Sequence, residues 1–155
     1  MLTSDRPSLE NTGEKGYLPQ HSLFPTTADI GIEAQAPDFS GLLLQASLAL
    51  LEVMADPSVV CCLQSLRLEV NAQDRAEIIV AWLNEIVYLY ETRGLVFACV
   101  EVQEAGANHA RGVVRGEPLD HKRHHLRHAV KGVTYHQLRV VEDKEGFRLR
   151  VILDI

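Results

Sequence analysis

Apolar residues recur at helical spacing in two segments of the chain. The first follows Asp38, a suitable N-cap, and stops at Asp56-Pro57. The second begins with an Asp-x-x-Glu capping box at Asp74 and Glu77, and Gly94 stands where a helix C-cap is expected. The apolar faces comprise Phe39, Leu42, Leu43, Ala46, Leu50 and Met54 in the first helix, and Ile79, Trp82, Leu83, Ile86 and Tyr90 in the second.

The remaining apolar segments are typical of β-strands. Alternation of apolar and polar residues over 66–71 predicts a strand with one solvated face. Further strand-like runs cover 23–34, 95–104, 110–117, 132–142 and 147–155, with a turn at 143–146. The short connections favour antiparallel pairing, so we predict an α+β fold. It is a two-layer sandwich in which two main helices cover one face of a mostly antiparallel sheet of about six strands.

The length of 155 residues is typical of one domain. Residues 1–22 lack apolar periodicity and are predicted to be a mobile tail, which leaves 23–155 as the folded domain. Neither a secretory signal nor an apolar membrane span is present, so we expect a cytoplasmic protein without a membrane partner, and we favour a monomer. Cys61, Cys62 and Cys99 match neither a disulfide framework nor zinc spacing, and are interpreted as core thiols.

The net charge of −6 is divided unevenly along the chain. Residues 1–110 carry 5 Lys/Arg and 15 Asp/Glu, which gives −10, whereas residues 111–155 carry 10 and 6, which gives +4. The chain as a whole therefore lacks the basic character of an autonomous nucleic-acid-binding protein. The basic segment is either a solvated, strand-rich surface or a region that contacts phosphate or an acidic partner.

Two acidic positions have surroundings that call for a partner to their charge. Asp29 lies among apolar and small residues, where it either caps a turn or needs a partner for its charge. Asp154 is followed by Ile155, whose α-carboxylate would lie within a few ångströms of it. Carboxylates this close are compatible with Ca²⁺ or Mg²⁺, although many surface strands end in this way.

A histidine-rich connector and the strand after it hold other polar candidates. His121, His124, His125 and His128 would have zinc-like i, i+4 spacing on a helix. The other interpretations of the segment are a solvated connector, which we favour, and a loop that contacts phosphate or a partner. Alternation from Lys131 onward places Thr134 and His136 on one face, and Val133 and Tyr135 on the other. The first pair is either ligand-facing or an ordinary part of an amphipathic strand.

Five blocks of sequence together resemble the archease family, in a common order from Phe24 to the last residue. They are Thr27-Ala28-Asp29-Ile30-Gly31, Trp82-Leu83-Asn84-Glu85, Gly116-Glu117-Pro118-Leu119-Asp120, Val130-Lys131-Gly132-Val133-Thr134-Tyr135-His136 and Val151-Ile152-Leu153-Asp154-Ile155. The family usually has a histidine directly before Thr-Ala-Asp, where this chain has Thr26. It also usually has Ala where this chain has Gly132.

The resemblance implies a non-catalytic partner protein that activates an RtcB-type tRNA-splicing RNA ligase by promoting its guanylylation and multiple turnover. It implies contact with RNA only through the ligase. It also implies a divalent-cation site, with Ca²⁺ expected and Mg²⁺ as the alternative, at Asp29, Asp154 and the carboxylate of Ile155. We expect Lys131, Thr134, His136, His124 and Arg123 to contact the partner.

Two other functions are compatible with the sequence. One is a general protein- or RNA-binding, chaperone-like module with a diverged archease fold, in which the basic segment 111–150 acts. The other is a metal-dependent hydrolase, for which His136 is the one candidate base. Phosphate-binding glycine loops and a nucleophile elbow are absent from the sequence, so direct nucleotide binding and serine hydrolysis have no support.

Overall fold

Clear stop and start signals in the sequence produce both helices. The computed structural model describes residues 16–155. Helix α1 spans Phe39–Met54, and the Asp38 carboxylate accepts the Gly41 N–H at its start. Helix α2 spans Arg75–Arg93; the Asp74 carboxylate accepts the Glu77 N–H, and Gly94 ends the helix at φ 64°. These caps satisfy backbone groups that a helix leaves unpaired at its termini.

The strands within residues 16–155 form two antiparallel sheets. The four-stranded sheet has the order β1-β2-β7-β6, and the three-stranded sheet has the order β3-β5-β4. The strand bounds are β1 Gln20–Pro25, β2 Ile30–Ala36, β3 Gln64–Asn71, β4 Leu95–Ala105, β5 His109–Pro118, β6 Gly132–Asp143 and β7 Gly146–Asp154. The predicted α+β class is confirmed, with seven strands divided between two sheets in this part of the chain.

Each helix bridges the two sheets and so closes one continuous core. Helix α1 packs on β2 and β4, whereas α2 packs on β6 and β3. At the centre, the fully buried Trp82 donates its indole N–H to the Ser47 hydroxyl at 2.9 Å. Gly112 on β5 leaves room for this ring, because a Cβ there would lie 3.0 Å from the indole and 2.1 Å from the Glu101 carbonyl oxygen. None of the helices in residues 16–155 is both long and apolar enough to cross a membrane.

Two predicted boundaries near the start of the chain differ from the structure. Residues 20–22 belong to β1, so the ordered sheet begins before the predicted limit at residue 23. The single strand predicted over 23–34 is instead a hairpin of β1 and β2. The turn escaped prediction because its threonine-rich sequence has no glycine or Asn-Gly signal. Most of the predicted tail, residues 1–15, lies outside the described residues.

The prediction that all three cysteines are core thiols is wrong. Cys62 and Cys99 form a disulfide, with their Cα atoms 6.3 Å apart, and Cys61 is an exposed thiol. The short 3₁₀ turn Pro57–Val59 packs against β4, which brings the segment before β3 close to Cys99. The two cysteines are 37 residues apart in sequence, so their pairing could not be predicted from local sequence spacing.

Reduction of this disulfide should lower the free energy of unfolding. Closing a loop of 37 residues removes unfolded-state entropy equivalent to at most about 4 kcal/mol. Urea unfolding with and without reductant should reveal the loss, and Cys62→Ser/Cys99→Ser should reproduce it, whereas Cys61→Ser should have little effect. Alkylation of the native protein should modify one thiol; modification of all three without reductant would contradict the disulfide.

Candidate functional site

The register of the four-stranded sheet brings the two candidate acidic ligands to the same end. Ile30 of β2 pairs with Leu153 of β7, and Asp154 of β7 pairs with Gly132 of β6. Continuing the first ladder by one residue places Asp29 opposite Asp154. Asp154 is exposed, and Asp29 is partly buried at the start of β2. The two residues that were considered separately in the sequence are therefore neighbours in the fold.

Thr26 holds the backbone of Asp29 in the turn between β1 and β2. Its hydroxyl accepts the Asp29 N–H at 3.0 Å and donates to the Asp29 carbonyl oxygen at 3.2 Å. The Thr26 N–H also donates to this carbonyl oxygen, at 3.1 Å. Asp29 thus lies in a turn rather than inside a strand, and the hydroxyl of Thr26, rather than the carboxylate of Asp29, stabilises that turn.

Asp154 is fixed from the other side by β6 and α2. The Lys131 N–H donates to the Asp154 carbonyl oxygen at 2.7 Å. Further along β6, the Asn84 side chain pairs with both backbone groups of Val133, accepting its N–H at 2.8 Å and donating to its carbonyl at 3.2 Å. Asn84 therefore satisfies both backbone groups of Val133 on the open edge of β6, as a neighbouring strand would. Its role was missed, although an amide between the buried Leu83 and Ile86 is a recognisable signal.

The chemistry of this end of the sheet fits a hard cation. Asp29 and Asp154 supply carboxylate oxygens, the ligand type that Ca²⁺ and Mg²⁺ prefer. Across residues 16–155, neither carboxylate forms an ion pair or a side-chain hydrogen bond with another described residue. The same residues contain no cluster of three His, Cys, Asp or Glu side chains suited to a metal. A cation here would need further oxygen ligands from the backbone or water.

The strand alternation predicted beyond Lys131 is interrupted by a bulge. Thr134 pairs with Ile152 and Arg139 with Arg150, so four residues of β6 oppose one residue of β7. Gln137 within the bulge has φ 58°, and the Thr134 hydroxyl accepts the His136 N–H at 2.9 Å. The predicted division into two faces is therefore wrong. Tyr135 and His136 are both exposed, and Lys131 is exposed beside Asp154, whereas Thr134 is partly buried.

His124 is buried, which contradicts its predicted contact with a partner. Its side chain is sealed from solvent, and its Nδ1 accepts the Asp120 N–H at 2.9 Å. The proton must therefore reside on Nε2, which donates to Glu117 at 2.9 Å. The predicted helical zinc spacing is also absent, because residues 121–128 form turns and irregular backbone with one isolated β-bridge at Leu126. Arg123 remains half-exposed and binds Glu117 and the Val59 carbonyl oxygen.

The histidine-rich connector is anchored rather than freely solvated. The backbone N–H groups of Arg127 and His128 donate to the carbonyl oxygens of Met54 and Val53, at 2.9 and 3.1 Å. The Arg127 guanidinium donates to the Glu52 carbonyl oxygen at 2.9 Å. These contacts satisfy the C-terminal carbonyls of α1 and place a positive charge at the negative end of its dipole.

Glu117, near the end of β5, forms hydrogen bonds with two residues of this connector. It accepts hydrogen bonds from Arg123, from the Cys61 N–H at 2.7 Å and from His124. The Arg123 hydrogen bond is the largest cause that lowers the Glu117 pKa from 4.5 to about 2, followed by the bonds from Cys61 and His124. Glu117 belongs to one of the five sequence blocks, but its role was not predicted. The signal that could have indicated the role is an acidic residue at the end of an apolar strand, shortly before several histidines.

Comparison with known proteins identifies the family. The model of the Archease protein family (MTH1598/TM1083) matches residues 21–155. The chain belongs to the archease family. The "Protein archease" of Methanothermobacter thermautotrophicus is 31% identical over 136 residues, which covers 86% of this chain and 96% of that protein. The archease of Methanopyrus kandleri is 32% identical over 132 residues, with coverage of 83% and 94%.

Solved archease structures share the fold. The solution structure of Methanobacterium thermoautotrophicum protein 1598 has a TM-score of 0.71 at 31% identity, and covers 87% of this chain and 98% of that one. The crystal structure of the Thermotoga maritima archease, described as a possible chaperone, has a TM-score of 0.61, with coverage of 85% and 94%. At 18% identity, the latter establishes the archease fold alone.

The depressed pKa of Glu117 predicts a specific loss of stability in acid. A carboxyl group whose pKa is lower in the folded state stabilises the fold above its unfolded pKa, and this contribution disappears as the pH falls towards the folded pKa. Urea unfolding should show the wild type most stable relative to Glu117→Gln above about pH 5, with the difference shrinking towards about pH 2. A difference that is constant across this range would contradict the assigned pKa.

Proposed function

We propose that this archease activates an RtcB-type tRNA-splicing RNA ligase, promoting its guanylylation and multiple turnover without ligating RNA itself. The proposal combines family membership with one structural observation, the convergence of Asp29 and Asp154 at one end of the four-stranded sheet. Both residues belong to the sequence blocks through which the chain resembles archeases. The α-carboxylate of Ile155 is proposed as a third ligand on the basis of that resemblance.

A divalent cation, Ca²⁺ or Mg²⁺, would neutralise carboxylates that otherwise repel one another. In this proposal, other residues of the chain hold the ligands in position. Thr26 and Lys131 fix the backbone on either side of the ligands through the hydrogen bonds described above. This gives the sheet a rigid end that can enter a cleft of the ligase.

The exposed surface beside this end supplies the proposed partner contacts. Lys131 is adjacent to Asp154, and the β6 bulge presents His136 to solvent five residues further along the chain. Thr134 supports the bulge from within by holding the His136 N–H. We retain Lys131, Thr134 and His136 as candidates for partner contact at this end, and Arg123 as a separate candidate beside Glu117, whereas the burial of His124 removes it from this set.

Cation binding should depend on both aspartates. In calorimetric titrations with Ca²⁺ and with Mg²⁺, Asp29→Asn and Asp154→Asn should each weaken binding by about tenfold or more, because each removes one charged ligand. Glu91→Gln, which removes a charge from an exposed position near the end of α2, should bind like the wild type. In urea unfolding, each of these three substitutions should change the free energy of unfolding by only about 0.5 kcal/mol or less. Unaltered affinity in both aspartate variants would exclude this cation site.

Ligase activation should depend on a free carboxylate at Ile155. Three residues, Gly-Ser-Gly, added after Ile155 should reduce stimulation of a cognate ligase by about tenfold or more, because the extension replaces the carboxylate with a neutral peptide group. The same three residues placed before Met1 should have no effect. Guanylylation of the ligase and its RNA-joining turnover are the measurements. Full stimulation by the C-terminally extended protein would refute the role of Ile155, and no stimulation by the wild type at any cation concentration would refute the function.

A further inference from the structure

The two sheets differ in how their exposed arginines are neutralised. On the three-stranded sheet, each arginine has a glutamate close by. The distances from guanidinium nitrogen to carboxylate oxygen are 2.8 Å for Arg111 and Glu104, 3.2 Å for Arg115 and Glu101, and 3.9 Å for Arg67 and Glu69. On the outer face of the four-stranded sheet, Arg139, Arg148 and Arg150 share fewer carboxylates. Among the described residues, Arg150 lies 2.9 Å from the Glu33 carboxylate, and Arg148 lies 3.9 Å from that of Asp143, as far as Arg67 lies from Glu69. Arg139 has no ion-pair partner among these residues.

The register brings two of these arginines together. Arg139 of β6 pairs directly with Arg150 of β7, although like charges opposite one another are unfavourable on a sheet. Within residues 16–155, Arg139 forms no ion pair or side-chain hydrogen bond. Arg148 has its nearest recorded carboxylate, that of Asp143, at 3.9 Å. Arg139 is therefore the guanidinium on this face that no described carboxylate neutralises, and the partner of Arg148 is more distant than that of Arg150.

Aromatic rings hold two of the guanidinium groups in place. Arg150 lies 4.0 Å from the centroid of the Phe24 ring, and Arg148 lies 5.3 Å from that of Tyr17. Phe24 itself occupies the space over Gly31, where a Cβ would meet the ring at 2.0 Å. Side chains that are already held lose less conformational entropy when they bind a ligand.

The arginines line a depression on the sheet. Its volume is about 590 Å³, and its wall also includes Gln20, Gln35 and Ser22, which offer amide and hydroxyl donors. The wall contains one carboxylate, that of Glu33, which is paired with Arg150. This volume is within the range of about 300–1,000 Å³ that is typical of small-ligand sites. The depression lies on the face of the sheet, whereas the candidate cation site lies at the sheet end.

We propose that this face binds the phosphodiester backbone of single-stranded nucleic acid. Arginine presents a planar fork of donors that matches phosphate oxygens. Arg148 and Arg150 are two residues apart on one strand, so their Cα atoms lie about 6.8 Å apart, a separation that suits successive phosphates of an extended chain. The inference goes beyond ligase activation, because it gives this archease a direct contact with RNA.

Fluorescence anisotropy with the full chain tests the proposal. The probes are a labelled 12-nucleotide oligouridylate, an oligothymidylate of the same length and a peptide of twelve glutamates. We expect saturable binding of both oligonucleotides and weaker binding of the peptide. Arg139→Glu/Arg148→Glu should weaken nucleic-acid binding by about tenfold or more. It should also reduce the salt dependence, log K against log salt, by about 1.4, at about 0.7 for each lost contact with a single strand.

A matched control separates this face from overall charge. Arg67→Glu/Arg111→Glu makes the same change in charge on the three-stranded sheet and should retain binding. Arg139→Gln/Arg148→Gln should weaken binding in the same direction, and serves in place of the glutamate pair if that pair unfolds. Equal losses in the two glutamate variants would overturn the proposal. Tighter binding of the peptide, or no binding of either oligonucleotide at low salt, would also overturn it. Similar affinity for RNA and DNA would assign recognition to the phosphates, whereas preference for RNA would add the ribose hydroxyls.

Discussion

The antiparallel pairing of β2 with β7 is the constraint on which the rest of the structure depends. It joins one of the first strands to the last and forms the centre of the four-stranded sheet, with β1 added to one side and β6 to the other. A slip of one residue would expose Ile32 and Val151, which are fully buried, and would bury Arg150. Core packing therefore fixes the register, and the position of Asp29 opposite Asp154 follows from it. The two residues need no attraction between their side chains to become neighbours.

The parts of this fold that can be predicted from the sequence are those with local causes. Asp38, Asp74 and Gly94 mark helix ends because their side chains or backbone conformations satisfy groups only a few residues away. Strands such as β3 show the alternation that one buried face requires. The residues of the candidate cation site were identified by resemblance, and their proximity became evident only from strand pairing.

What could not be predicted depends on contacts between distant segments. The buried pair of Glu117 and His124 needs the connector to fold back against β5, and the disulfide needs the segment before β3 to pass β4. The bulge in β6 is equally hidden, because a continuous strand-like sequence gives no sign that four residues will oppose one. Asn84 illustrates the same limit, since its amide acts on a strand that begins almost fifty residues later.

The topology also explains why the uneven charge of the sequence becomes an uneven surface. Strand β5 comes from the basic part of the chain but pairs with β3 and β4, whose glutamates come from the acidic part. Strands β6 and β7 form a hairpin within the basic part, so Arg139 meets Arg150 instead of an acid. This pairing is tolerated because long side chains on an exposed face can diverge into water while the backbone ladder stays intact. The stability of the sheet thus resides in its buried face, and the outer face is free to carry charge suited to a ligand.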